Sequence, residues 1–337
     1  MRREIPSLSV LDATAIGPGV TADQALRWTK EVAQAAESFS YERLWVVEHH
    51  GVRDIGCATP AVLIATLAAA TQKLRLGSGG VMLPNHSPLV VAEEFSMLQA
   101  LYPGRIDLGI GRASGSDPAT TIALRRASAD DEEFAAQLDE LTGFLNSGFP
   151  AGHRYEHVRI SLQVDPPPIY LLGSSESSAC LAARRGLPFA FAHHLNPEPS
   201  CRALSRYREN FRSGVIKEPY TIATIAVVCA PTQEEAEHAA MAAAIIRVRR
   251  GLALRHGVRI SDHVLRHPEW SDEERRVAQK ELSGKWILIG NPEQVLSGLI
   301  DLRRTTGADE LMLTSIEYDG PSRIRTLEAI SEASRFS

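Results

Sequence analysis

The feature that most constrains this chain is an alternation of short apolar runs with amphipathic, helix-period segments, repeated from one end to the other. "SLSVLDA" reads as a strand, and "TADQALRWTKEVAQAAESF" as the helix behind it, with Thr21 at its N-cap. "RLWVVEH" is a second strand, apolar at successive positions as expected when both faces are covered. "TPAVLIATLAAAT" makes a helix that carries Pro60 in its first turn. "LRLGSGGVML", "PLVVAEEFSMLQAL" and "RIDLGIG" continue as strand, helix and strand. A longer, less regular stretch follows from Arg112 to Pro168. Within it "DDEEFAAQLDELTGFLNSG" is a helix, with acids crowding its first turn and Gly148 after its end. The pattern then resumes with the strands "PPPIYLLG", "PFAFAHH", "TIATIAVVCA" and "DELMLTSI". Helices are expected from about Ser175, through "RALSRYRENF", over "PEQVLSGLIDLRRTTG" and over "SRIRTLEAISEAS". Another long helix, after "TIATIAVVCA", is expected to be interrupted by the charged, histidine-bearing run Arg247–Lys285.

About eight strands separated by helices imply a parallel sheet, and that many units close most economically into an α/β (β/α)8, or TIM, barrel. An open doubly wound sheet is the structural alternative. No proline-rich or glycine-serine linker divides the 337 residues, so one domain over 1–337 is expected, with variable insertions near 114–167 and 247–285. The net charge of -5 gives no polyanion-binding signal, which argues against nucleic acid as a partner. Cys57, Cys180, Cys201 and Cys229 lie far apart with no C-x-x-C pair. That spacing opposes a structural zinc site or a disulfide framework and suits a reducing compartment. "MRREIPSLSV" has no apolar run of signal-peptide length, and "PAVLIATLAAA" is too short to span a bilayer. A soluble, cytoplasmic protein with no membrane partner is expected.

Barrel chemistry sits at the C-terminal ends of the strands. This sequence places there Asp12; Glu48, His49 and His50; Ser78, Gly79 and Gly80; Gly111 and Arg112; Gly173, Ser174 and Ser175; and His193, His194 and Asn196. The set lacks the carboxylates of a two-metal hydrolase and suits a phosphate-bearing ligand. In "LGSSESSACLAARRG" a strand ends, hydroxyls follow and a helix begins, so free N–H groups and the positive helix end point at one spot, with Ser174, Ser175 and Ser178 as added donors. Taken alone, such a turn is more often an ordinary helix cap. "LGIGRASG" is not a dinucleotide fingerprint, because the glycine spacing is wrong and no helix opens behind it. Arg112 reads equally as a phosphate clamp or as a surface arginine paired with a loop acid. Neighbouring strand residues point to opposite faces, so His49 and His50 cannot both face the mouth unless the strand has ended. Periodicity leaves open which of them points inward, and the same holds for His193 and His194. With no H-x-x-x-H or H-E-x-x-H helix either, no metal is expected. "SGGVML" reads as backbone brought close to a flat ligand, or as a barrel bulge.

From "LWVVEHHG" through "LRLGSGGVMLPNHSPLVVAEEFSMLQALYPGRIDLGIGR", and again at "LLGSSESSACLAARRGLPFAFAHH" and "GNPEQVLSGLIDLRRTTGADELML", the sequence resembles the bacterial luciferase-like flavin monooxygenases. The resemblance implies a (β/α)8 barrel that takes reduced FMN from a separate flavin reductase. With O2 as co-substrate it would form a flavin hydroperoxide and hydroxylate or epoxidise a small organic molecule. It also implies roles for residues. His49 matches the catalytic acid/base. His50 matches a subunit-interface histidine, with Glu93 as its carboxylate partner across a homodimer. Gly79 and Gly80 match a pair joined by a non-proline cis peptide under the flavin ring. Arg112 matches the phosphate arginine, and Gly173, Ser174, Ser175 and Ser178 match the phosphate turn. Gly111 stands where light-emitting members carry a reactive cysteine, so bioluminescence is not expected; Ser174 stands where they have a glutamate. His194, beside His193, matches a histidine lining the substrate pocket. The Ala- and Arg-rich helices resemble actinobacterial members that tailor aromatic polyketides. Two other readings share the fold: a deazaflavin (F420)-dependent dehydrogenase, and a non-catalytic flavin-binding protein, against which the joint presence of His49, Arg112 and the serine turn argues.

Overall fold

The computed structural model describes residues 7–113, 116–125, 130–146, 148–255 and 260–335. Eight parallel strands close into a barrel: β1 (Ser7–Asp12), β2 (Arg43–Val46), β3 (Arg75–Ser78), β5 (Ile106–Gly111), β6 (Ile169–Gly173), β7 (Phe189–Phe191), β8 (Thr221–Cys229) and β10 (Glu310–Thr314), with β10 returning to β1. The register runs Val10 opposite Leu44, Arg43 opposite Arg75, Leu76 opposite Ile106, and closes with Ser7 opposite Glu310. The alternation of strands and helices thus fixes the (β/α)8 barrel, and the open sheet is excluded by closure. Two short strands stand outside it: β4 (Val81–Met82), on β5, and β9 (Ile287–Gly290), on β8.

The helices around it are α1 (Ala22–Ser38), α2 (Pro60–Ala70), α3 (Pro88–Leu101), α4 (Pro118–Ala123), α5 (Asp131–Leu145), α6 (Glu176–Arg185), α7 (Ser200–Glu209), α8 (Gln233–Arg255), α9 (Asp262–Leu265), α10 (Asp272–Leu282), α11 (Pro292–Thr306) and α12 (Gly320–Arg335). Thr21 caps α1 through its side chain, and Gly186 and Gly307 end α6 and α11 in the left-handed region that suits glycine. Alternate strand residues divide between two cores. Leu44, Val46, Leu76, Ile106, Leu108, Leu171 and Phe189 pack outward against helix residues such as Ile64, Phe95 and Leu299. Leu11, Trp45, Val47, Tyr170, Ala190, Ile222 and Met312 fill the barrel itself. The bottom of the barrel is plugged by charge: the guanidinium of Arg43 donates to Asp107 at 2.7 Å, to Glu310 at 3.0 Å and to the Tyr170 hydroxyl at 3.0 Å. Tyr220 and Trp45 complete the acceptors' needs, donating to Glu310 at 2.6 Å and to Asp107 at 3.0 Å.

Two expectations from periodicity are corrected. First, α8 is not interrupted at Arg247 but continues to Arg255. The charged residues there are not breakers: Arg249 is buried and pairs with Glu274, while also donating to the Val264, Leu265, His267 and Glu269 carbonyls. Second, β9 lies in "WILIG", which periodicity passed over. The nine-residue β8 is buried throughout, and β10 pairs with only Ile222–Ala226, so its far end needs a second partner, and Ile287–Gly290 supplies it. Among the described residues no helix is long and apolar enough to cross a membrane.

Candidate active site

The strand ends gather the candidate residues on one face. In β2 the inward parity runs Arg43, Trp45, Val47, and Val47 belongs to the interior cluster. β2 ends at Val46, so Glu48, His49 and His50 lie in the β2–α2 loop, with Glu48 buried and both histidines half-buried. The His49 amide bonds to the Cys57 carbonyl at 3.0 Å, closing the β2–α2 loop on itself. That loop pairs with the β1–α1 loop through an Ala15–Ile55 bridge and the Ile16 amide to Asp54 carbonyl bond at 2.7 Å.

Glu48 has no exposed side-chain surface. It accepts from His50 Nε2 at 2.8 Å, His86 Nε2 at 2.9 Å, Asn85 at 3.3 Å and the Met82 amide at 3.0 Å. Burial works against its charge, but these donors, His86 foremost, offset that and hold its carboxyl below its ordinary range. Sequence reasoning placed Glu48 at a strand end but missed His86 and Asn85. They arrive from the β4–α3 connection, and no short spacing links them to Glu48. His50 thus bonds to Glu48 within its own chain, while Glu93 lies on the exposed face of α3.

Gly79 and Gly80 are joined by a cis peptide. A Cβ on Gly79 would lie 2.5 Å from Leu11 Cδ1, and one on Gly109 would lie 2.0 Å from the Ser78 carbonyl oxygen. The Ser78 hydroxyl bonds to both backbone groups of Gly109, where β3 gives up its pairing with β5 and β4 takes over. Close contact of the protein with itself therefore already asks for glycine at positions 79 and 109. Gly111 is the last residue of β5 and lies against Met82.

At the end of β6, Ser175 caps α6. Its hydroxyl accepts the Ser178 amide at 3.3 Å, the Ser178 hydroxyl accepts the Ser175 amide at 3.4 Å, and the Ser178 hydroxyl donates to the Ser175 carbonyl at 2.8 Å. Gly173 is required beside them, because a Cβ there would meet the Ser178 hydroxyl at 2.0 Å. Asn196 reaches back to the Ser174 carbonyl at 3.0 Å. Arg112, about half exposed, pairs with Asp131, whose other oxygen accepts from the Ser177 hydroxyl at 3.0 Å. A carboxylate thus bridges the end of β5 and the first turn of α6: the serines cap a helix, and Arg112 is paired with an acid that opens α5 rather than lying in a loop.

β7 ends at Phe191, so His193 and His194 both lie beyond it. His194 lies in the turn after β7, its amide donates to the Thr224 carbonyl at 2.8 Å, and its Nδ1 is buried without a hydrogen-bond partner. Burial pushes its pKa down to about 4, so the ring is neutral. His193 turns aside and bonds through Nε2 to the Lys285 carbonyl at 3.0 Å. Asp12 is also turned away from the mouth: it accepts from the Thr14 amide and the Thr29 hydroxyl and pairs with Arg323 of α12 at 2.5 Å. The α8–α10 segment reaches over the rim, with Arg250 on Asp54 at 2.6 Å and on the Ile16 carbonyl at 3.2 Å, and Asp262 on the Gly19 amide at 2.8 Å. A groove of about 1150 Å³, lined by Cys229, Glu293, Glu317 and Glu328, opens outside the barrel between α11 and α12.

The family model for luciferase-like monooxygenases matches residues 7–310. The chain belongs to that family. A luciferase-like monooxygenase of Escherichia coli K12 is 41% identical over 329 residues, covering 96% of this chain and 95% of its own. An N-acetyl-S-alkylcysteine monooxygenase of Bacillus subtilis is 44% identical over 232 residues, covering 68% of this chain and 70% of that protein. The solved structure of apo-MsnO8 superposes with a TM-score of 0.87 at 33% identity, over 99% of both chains. As a member of a monooxygenase family the protein is an oxidoreductase.

Proposed function

We propose that this luciferase-like protein is a cytoplasmic, FMN-dependent monooxygenase. It would take reduced FMN from a separate flavin reductase and use O2 to hydroxylate or epoxidise a small organic substrate, as in secondary-metabolite tailoring. The observation that carries the reading is the gathering, at the C-terminal ends of the strands, of the first turn of α6, Arg112, the half-buried His49 and His194 with a buried, unpaired Nδ1.

The residues fit the cofactor. The N-terminus of α6 with the hydroxyls of Ser174, Ser175 and Ser178, linked to Arg112 through Asp131, is the kind of donor set that a phosphate takes. Asp131 already stands between Arg112 and Ser177 as an internal carboxylate, which a phosphate would displace. Bound reduced flavin would supply the electrons that activate O2. The chain's own part is to hold that ring in a dry barrel and to place a proton donor or acceptor, His49, beside it. The neutral His194 would offer a hydrogen bond to substrate without adding charge. Exposed Val62, Val90, Met97 and Leu101 on α2 and α3 support a homodimer through those helices. The thioether named for the Bacillus subtilis relative makes sulfur-containing substrates the first to screen.

The test mixes protein loaded anaerobically with reduced FMN against oxygenated buffer, with and without candidate substrates. Flavin reoxidation slower than that of free FMN, with oxygenated product, is expected. His49→Ala should keep FMN affinity within about twofold while product formation falls about 10²–10⁴-fold. Unchanged turnover in that variant would overturn the role of His49. Preferential F420 binding with oxygen-independent hydride transfer would overturn the cofactor, and reoxidation as fast as free flavin with no product would point to a carrier.

A further inference from the structure

We propose that Glu48, His50 and His86 form a binding site for one divalent transition-metal cation of the zinc class, placed just behind the mouth. Their ligand atoms all lie within 4.8 Å of one another. The two imidazole Nε2 atoms converge on a single carboxylate oxygen, Glu48 Oε1, at 2.8 and 2.9 Å. Metal–ligand bonds of about 2.0–2.2 Å at tetrahedral angles place neighbouring donors about 3.3–3.6 Å apart, so each imidazole needs to draw back by only about half an ångström to admit an ion. Two imidazoles and one carboxylate are the donor set that zinc, cobalt and nickel favour, and such sites leave further positions for water.

The surroundings match what a metal site needs beyond its ligands. Glu48 Oε2 is anchored by the Met82 amide at 3.0 Å, which leaves Oε1 as the coordinating atom, and Asn85 lies 3.3 Å from Oε1. Glu48 has no exposed side-chain surface, but His50 and His86 keep 16% and 30% of theirs, so an ion can enter from the imidazole side. The ligands come from two loops, with His50 just beyond β2 and His86 just before α3. A bound ion would join the β2 end to the β4–α3 connection and fix both neighbours of His49 in the chain.

The test takes whole protein stripped with a chelator and titrates it with Zn²⁺ by calorimetry and with Co²⁺ by visible absorbance. The same titrations are run on His50→Gln and His86→Gln, either of which suffices if the other does not fold. One equivalent of saturable binding and a Co²⁺ ligand-field spectrum are expected for the parent protein. A loss of affinity of at least about tenfold, with collapse of that spectrum, is expected in each folded variant. Absence of saturable binding by the parent protein, or equal binding by a folded variant, would overturn the site and leave the cluster as a hydrogen-bonded clamp only.

Discussion

Replacing Arg43 by methionine tests how the barrel is held shut at its base. The arginine side chain is 5% exposed, and both acidic partners, Asp107 and Glu310, have no exposed side-chain surface. Burial opposes the guanidinium charge, but Asp107 and Glu310 more than offset it and hold its pKa above the ordinary value. Arg43→Met fills the space with apolar atoms yet strands the carboxylates. Asp107 keeps Arg75 and the Trp45 indole, whereas among the described residues Glu310 keeps only the Tyr220 hydroxyl as a side-chain donor. Removing one partner of such a buried group costs about 3–5 kcal/mol, chiefly through the charge left behind. For a chain of 337 residues that is a fall in thermal midpoint of about 4–7 °C. Urea unfolding followed by tryptophan fluorescence measures it, with Trp45 inside the barrel as reporter. Adding Glu310→Gln to Arg43→Met should restore at least half the loss, because the stranded charge is then gone. A single-variant cost under about 1 kcal/mol, or a double variant no better than the single, would refute the reading that the loss comes from the carboxylate left buried and unpaired.

Other outcomes follow from the mouth and the surface. The Glu48 hydrogen bond raises the pKa of His86, so the stabilisation from its charge is full below the ordinary value of 6.5 and is lost as pH rises through the raised value. The Glu48 contribution is present above its ordinary 4.5 and is lost as pH falls through its lowered value. The difference in thermal midpoint between the parent protein and His86→Gln should therefore be largest near pH 6 and shrink towards pH 8.5, and a pH-independent difference would count against the ion pair. Arg112→Ala should weaken FMN binding about tenfold, a modest loss because Arg112 is half exposed, while Asp131→Asn should tighten it by removing the competing carboxylate. Equilibrium dialysis of FMN decides both. Val62→Glu with Met97→Glu puts charge on the exposed apolar face of α2 and α3, and should convert a dimer to monomer in analytical ultracentrifugation while leaving the circular dichroism spectrum intact.

What the sequence alone determined is the barrel. Alternating periodicity, capped helices and doubly covered strands leave few ways to close a sheet, and Thr21, Pro60 and Gly148 mark helix starts and ends through local chemistry that needs no distant partner. The run of candidate residues at strand ends was legible for the same reason, since the fold class alone says which end of each strand carries chemistry. Tertiary structure decided the directions and the partners. Both strand faces are apolar, so periodicity could not separate His49 from His50, and the bond from His50 to the buried Glu48 came only from the folded loop. Asp12 looked like a mouth residue and turned out to be bound to Arg323, far away in the chain. Glu48 gained His86, and Arg43 gained Asp107 and Glu310, only once loops and strands distant in sequence were brought together. Charges and hydrogen bonds act over a few ångströms of space, whereas sequence patterns record only neighbours along the chain. The barrel could be read from the pattern, but the partners that fix its base and its mouth could not.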